Sequence, residues 1–225
     1  PQKNDKNWTA LKRYFLEEDH WSEARLNSVD QSSSKVMALT PCPTADGAWQ
    51  GKGLVVGYVQ SGKTTNFTSV IAKAADCGYR LVIVLSGIHN GLRRQTQERL
   101  VTQLSAFNPD SWPPLTTPVR DFKKPPMSVA QLLQPGSTST GLAVVKKHKS
   151  PLKHLVAWLG EADEQHALSS LPTLIIDDEA DQAGVQTNTI NPLLKELLEV
   201  LPRATYIGYT CLLYTSDAAD DMQCV

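Results

Sequence analysis

The sequence predicts an α/β protein, a mainly parallel sheet with helices on both faces, preceded by a short helical region. From residue 53 onward, short apolar runs with β-branched residues alternate with longer stretches of helical period, the pattern of a sheet threaded by crossover helices. The run YRLVIVLSG is apolar without alternation, as expected of a strand buried on both faces. A chain of 225 residues, 41% of them hydrophobic, can bury one sizeable core with a small appended lobe.

In WTALKRYFLEE, residues 8 to 18, Trp8, Leu11, Tyr14 and Phe15 share one helical face. A second helix is expected over 21 to 30. QSSSK and TPCPTADGAWQGKG then read as a polar, Pro/Gly-punctuated linker, so residues 1–48 form a helical region and linker. GLVVGYV is the first strand, TTNFTSVIAKAADCG the helix after it, YRLVIVLSG the second strand and NGLRRQTQERLVTQL the next helix. Residues 107–141, rich in Pro, Ser and Thr, read as a long loop or loosely structured insertion. Regular alternation resumes with strand GLAVV, helix PLKHLVAWLGEA, strand PTLIID, helix NPLLKELLEVL and strand ATYIGYT. In that last helix Asn191 is expected to cap and Pro192 to take the first helical position. The lobe therefore spans 49–210.

The net charge of −1 excludes a generally basic nucleic-acid coat, while leaving room for local basic surfaces. No apolar run approaches membrane-spanning length and no secretory signal opens the chain, so a cytoplasmic location without membrane contact is expected. Cys42, Cys77, Cys211 and Cys224 form no C-x-x-C pair, and neither a zinc site nor a disulfide framework is indicated. Opening at Pro1 rather than methionine, the sequence is expected to be a piece of a longer reading frame.

GYVQSGKT, residues 57 to 64, matches G-x-x-x-x-G-K-[ST] between a predicted strand and a predicted helix, the context a phosphate-binding loop requires. Gly57 and Gly62 let the backbone approach phosphate, while Gln60, Ser61, Gly62, Lys63, Thr64 and Thr65 supply the amides and side chains that would cradle ATP. Lys63 would reach the β and γ oxygens and Thr64 would hold Mg²⁺. Such a loop needs carboxylates from a neighbouring strand end, and LIIDDEADQ provides them.

Asp178-Glu179-Ala180-Asp181 spells the acidic box of superfamily-two helicases, whose core is a RecA-like P-loop NTPase lobe. That resemblance assigns Asp178 to the metal, Glu179 to the attacking water, and Asp181 to coupling with the nucleic-acid face. A register one residue earlier would make Asp177 the metal ligand, and both registers stay open on sequence. Two basic segments follow strand ends: Arg93, Arg94 and Arg99 open one helix, and Lys146, Lys147, His148, Lys149, Lys153 and His154 follow the third strand. On a sheet edge that meets nucleic acid, Arg93, Arg94, Lys146, Lys147 and Lys149 are the expected phosphate contacts. For any one of them a solvated helix face is the competing explanation.

Together, residues 53 to 100, LAVVKKHKS, and LIIDDEADQ with YIGYT after it resemble the Z-one domain family. Its members are described as endonucleases with a superfamily-two helicase-like ATPase core, found in bacterial restriction and phage-defence loci. The resemblance spans roughly 49 to 210. It implies ATP and Mg²⁺ as cofactors, DNA as substrate, other proteins of a defence operon as partners, a bacterial cytoplasm, and a coupling role for Thr210. After Thr210 the family would continue Ala-Thr-Pro-Phe, whereas this chain reads CLLYTSDAADDMQCV. Residues 211–225 resemble translated sequencing-adaptor read-through and are expected to be non-native. A second motor lobe with an arginine finger would then lie outside this chain, leaving it a poor hydrolase alone.

Two other functions fit parts of the sequence. One is a nucleotide-gated binding or assembly module that never translocates, using the same Lys63 and Thr64. The other is a PD…(D/E)-x-K nuclease built on Pro109, Asp110, Asp121 and Lys123, although the intervening SWPPLTTPVR lacks the strands such a site needs.

Overall fold

The computed structural model describes residues 5–58, 62–125, 127–134, 136–161, 165–180 and 187–212. In order, the elements are α1 (Lys6–Glu17), α2 (Glu23–Ala38), β1 (Trp49–Tyr58), α3 (Lys63–Cys77), β2 (Leu81–Ser86) and α4 (Asn90–Ser105). They continue with a 3-10 turn (Pro109–Ser111), α5 (Val129–Leu132), β3 (Gly141–Lys146), α6 (Lys149–Leu159), α7 (Gln165–Leu168), β4 (Thr173–Asp178), α8 (Thr187–Val200) and β5 (Arg203–Leu212).

The five strands form one all-parallel sheet in the order β1-β5-β4-β2-β3. The chain steps outward from β1 to β2 to β3 and returns through β4 to β5. With right-handed crossovers, the outgoing and returning helices must lie on opposite faces. The core divides accordingly. Val82, Val84, Leu174, Ile176 and Tyr209 pack with α1 to α4, whereas Ile83, Leu85, Val145 and Ile175 pack with α6 and α8. Successive strand residues thus alternate between two apolar layers, as the period of two requires. This is the doubly covered parallel α/β architecture expected from sequence, preceded by two helices. Because the helices after β1 and β4 leave on opposite faces, a crevice opens between them at the carboxyl edge of the sheet.

Three local expectations differ. α2 does not stop near residue 30 but runs through the serines to Ala38. Leu26, Val29, Ser33 and Val36 form its inward stripe, with Ser33 fully buried. The Lys73 ammonium donates to the Asp30 carbonyl and carboxylate and to the Ser33 and Ser34 hydroxyls, all within 2.6–2.8 Å. A polar stripe answered by a partly desolvated lysine from α3 holds the helix where apolar periodicity gives no signal.

α8 begins at Thr187, so Pro192 lies inside the helix and Asn191 is not its cap. Ile190, Leu193 and Leu197 are buried at helical spacing, and extending the apolar stripe back to Ile190 outweighs the one backbone bond a proline removes.

Residues 107–141 do contain mostly loop, but a well-packed one. Trp112, Leu115, Phe122, Val129 and Leu132 are buried in it, and its backbone exchanges hydrogen bonds with the outer edge of β3 through Leu115–Leu142 and Leu142–Pro113. It covers a strand edge that would otherwise expose unpaired amides. Among the described residues no helix is long and apolar enough to cross a membrane.

Candidate functional site at the carboxyl edge

β1 delivers Gly57 to the carboxyl edge, and α3 starts at Lys63. Between them, Val59, Gln60 and Ser61 lie outside the described residues. Gly62 sits at φ +75°, ψ 25°, in the left-handed region, as the residue that turns the chain into α3. A side chain there would be strained, which is the physical reason for glycine at this step of the motif. Lys63 and Thr64 are half-buried on the first turn. Thr65 is buried, and its hydroxyl accepts a 3.0 Å bond from Arg99, tying α3 to α4.

The pleat separates the two acids between which the sequence left the choice open. Asp177 points toward the α6/α8 face and is buried. One carboxylate oxygen accepts from the Lys147 ammonium at 2.7 Å and the other from the Tyr206 hydroxyl at 2.5 Å. Burial, and then the Asp177 charge, push the Tyr206 phenol well above its ordinary value, which keeps it a neutral donor.

Asp178 points toward α3. Burial first, and then the neighbouring Glu179 charge, raise its carboxyl from an ordinary 3.8 to about 6, against the pull of the Lys147 and Lys63 ammonium groups. The pull from Lys63 ties the phosphate-loop lysine to this carboxylate. Beside it Tyr209 is fully buried, its phenol raised by burial and by Asp178, and its hydroxyl donates to Asn66 on the first turn of α3 at 2.9 Å.

Glu179 has a left-handed backbone at φ 63°, unusual for a residue with a side chain. Lys147 donates to its carbonyl at 2.7 Å, and the next amide, on Ala180, donates to the Tyr209 carbonyl at 2.9 Å. Its Oε2 is buried without a hydrogen-bond partner among the described residues. That oxygen rests against the end of β2, where a Cβ on Gly87 would come within 3.2 Å of it. A left-handed backbone and an unpaired carboxylate oxygen thus coincide on one residue at the end of β4. Asp181 lies outside the described residues. Thr210, half-buried on β5, pairs with Val56 of β1. Of residues 211–225, only the backbone of Cys211 and Leu212 is described, completing β5.

The basic residues split into two groups. Arg93 is not on the surface: it is 3% exposed and donates to the carbonyls of Thr117, Pro118 and Val144, anchoring the loop that covers β3. Lys147, 6% exposed, belongs to the acidic strand end rather than to a nucleic-acid face. Both positions carried a readable signal. Arg93 continues the buried helical stripe Gln97, Leu100 and Leu104, and Lys147 continues the inward alternation Ala143, Val145. Arg94, Lys146 and Lys149 are not buried; Arg94 pairs with Glu98 and Lys146 donates to Asn90. Arg94 and Lys146 line a cavity of about 790 Å³ with Arg120, Lys123, His148 and His154.

Asp121 and Lys123 also border this cavity, where one Asp121 oxygen accepts from the Phe122 and Lys146 amides and the other, without a hydrogen bond among the described residues, lies 3.9 Å from the Arg93 guanidinium; Asp110 is exposed on the 3-10 turn outside it. Among the described residues no three His, Cys, Asp or Glu side chains converge on a metal position. The Asp178 carboxylate with the Thr64 hydroxyl still suits Mg²⁺, which is commonly held by one or two carboxylates together with substrate phosphates. No protein-family model matches this sequence, and no curated protein matches it at a significant level.

Proposed function

We propose that this chain is the nucleotide-binding and hydrolysing lobe of a DNA-directed, helicase-like ATPase of the Z-one type. The observation that carries the reading is the orphaned Glu179 oxygen on a strained backbone, beside an Asp178 whose charge interacts with Lys63 at the head of α3. The first-turn amides of α3 and the Lys63 ammonium would bind the phosphates, using the positive end of the helix. Thr64 and Asp178 would hold Mg²⁺, which neutralises charge on the phosphate oxygens when bound. Glu179, with an acceptor oxygen unpaired among the described residues, would orient and deprotonate water. Asp177 takes no part in that chemistry, being committed to Lys147 and Tyr206. DNA as the directing ligand comes from the sequence resemblance, and the basic cavity at the end of β3 is the surface that supports it.

Lys63→Ala should weaken Mg·ATP binding at least about ten-fold, the loss expected for a charge-assisted phosphate contact. Glu179→Gln should keep binding and lower DNA-stimulated hydrolysis in the parent protein about 10²-fold or more. Unchanged binding in the first variant and unchanged turnover in the second would remove the basis of this reading.

A further inference from the structure

Between α2 and the start of α3 lies a cavity of about 630 Å³ that shares Gly57, Gly62 and Lys63 with the phosphate loop. Its wall on this side carries Trp21, in the turn before α2, and Arg25 and Ser28 of α2. The Trp21 ring stacks on Phe15 at 4.3 Å between centroids and 4° between planes, and the Arg25 guanidinium lies 3.8 Å over the other face of Trp21. Phe15 is fully buried, so this three-layer stack is founded in the core and ends in an exposed guanidinium at the cavity. Among the described residues that guanidinium has no carboxylate or carbonyl partner. An exposed guanidinium seated over an aromatic ring at a cavity offers a stacking partner to a π-system and donors along its edge.

The wall is fixed relative to the start of α3. Asn66, one turn into α3, donates to the Ser32 hydroxyl at 2.9 Å and accepts from Tyr209, while Lys73 ties α3 to α2 again through Asp30, Ser33 and Ser34. A ligand with phosphates at Lys63 and a planar group on Arg25 would therefore meet one preformed surface, which lowers the ordering penalty of binding. The volume suits a nucleotide-sized ligand.

We propose that this cavity is the nucleobase subsite, with the Arg25 guanidinium stacking on the base of a nucleoside triphosphate whose phosphates occupy the loop. The proposal rests on the nucleotide-binding reading above. It assigns α1 and α2, which precede the sheet, a share of the ligand rather than a purely packing role.

Calorimetric titration of the chain with Mg·ATP and with Mg·tripolyphosphate, which has no base, tests it. The wild-type chain should prefer ATP at least ten-fold. Arg25→Ala should weaken ATP about ten-fold, leave tripolyphosphate within two-fold, and so erase the preference, while Lys63→Ala should weaken both ligands. Equal wild-type affinities, an Arg25→Ala loss shared by both ligands, or no loss for either would overturn the subsite. Binding of both ligands unaffected by Lys63→Ala would instead overturn the phosphate-loop reading, and a wild-type chain that binds neither would overturn both. Arg25 is exposed and its backbone helical, so the variant is expected to fold, with near-ultraviolet circular dichroism as the check.

Discussion

Asp177 and Asp178 are neighbours in sequence but face opposite sides of the sheet, and their surroundings differ in kind. On the α6/α8 side, Asp177 is enclosed with a cation and a phenol donor, both within 2.7 Å. On the α3 side, Asp178 is desolvated beside another acid, and Glu179 next to it carries a left-handed backbone and a buried oxygen without a partner among the described residues. Protein folding alone accounts for the first arrangement, since every buried polar atom is answered. It does not by itself account for the second, where among the described residues a buried carboxylate oxygen goes unanswered and a side-chain-bearing residue holds a left-handed backbone. Lys147 belongs to both halves, neutralising Asp177 and holding the Glu179 carbonyl in its unusual position.

The strongest way to break this comparison is to remove Lys147. Lys147→Met should lower unfolding free energy by about 3–5 kcal/mol, the effect of leaving one member of a buried ion pair uncompensated. If that variant fails to fold, Asp177→Asn provides the milder test, because it removes the charge while keeping an acceptor for Tyr206. Replacing both partners, Lys147→Met with Asp177→Leu, should recover much of the loss, as apolar replacement of buried pairs commonly does. A loss below about 1 kcal/mol for Lys147→Met in urea unfolding would show that the buried pair contributes no more than an exposed one does.

Asp178 should behave in the opposite sense. Its folded-state value, about 6 against an ordinary 3.8, means that the folded chain holds its proton more tightly than the unfolded chain does. Stability from this group is fully present below pH 3.8 and is lost as pH rises through 6. In the metal-free protein at pH 7 the ionised carboxylate then costs about 3 kcal/mol. Asp178→Asn should accordingly raise thermal stability at pH 7 by up to that amount, with the gain fading toward pH 4, while weakening Mg·ATP binding. A variant less stable than wild type at pH 7 would mean that Asp178 is satisfied within the protein, and the contrast with Asp177 would disappear.

How much of this could be read from sequence follows from what each feature depends on. The strands of the sheet and the position of the phosphate motif are properties of short contiguous segments, and GLVVGYV, YRLVIVLSG and PTLIID declare them directly. The choice between Asp177 and Asp178 depends on pleat parity relative to a helix packed more than a hundred residues away in sequence, so the sequence leaves it open. α2 beyond residue 30 depends on Lys73, whose ammonium gives a serine-rich face something to bond; without that partner QSSSK reads as linker. Arg93 and Lys147 look like surface cations because charge usually marks solvent, and only the burial stripe of their own element argues otherwise.

The smallest of these effects isolates the backbone at Glu179. Glu179→Ala and Glu179→Gly both delete the carboxylate, both relieve its repulsion of Asp178, and both leave the Lys147 bond to the carbonyl available. They differ in whether the residue at φ 63° carries a Cβ. In ordinary helical or extended backbone, glycine is the less stable choice by roughly 0.5–1 kcal/mol. In the left-handed region alanine is strained by about 1 kcal/mol, which offsets or exceeds that entropic disadvantage. The Gly variant should therefore be at least as stable as the Ala variant, reversing the usual order, in urea unfolding at pH 7. An Ala variant clearly ahead would mean that position 179 relaxes to a standard conformation once its carboxylate is gone. The carboxylate's own contact at Gly87, rather than Lys147 and the Tyr209–Ala180 bond, would then be what twists the chain.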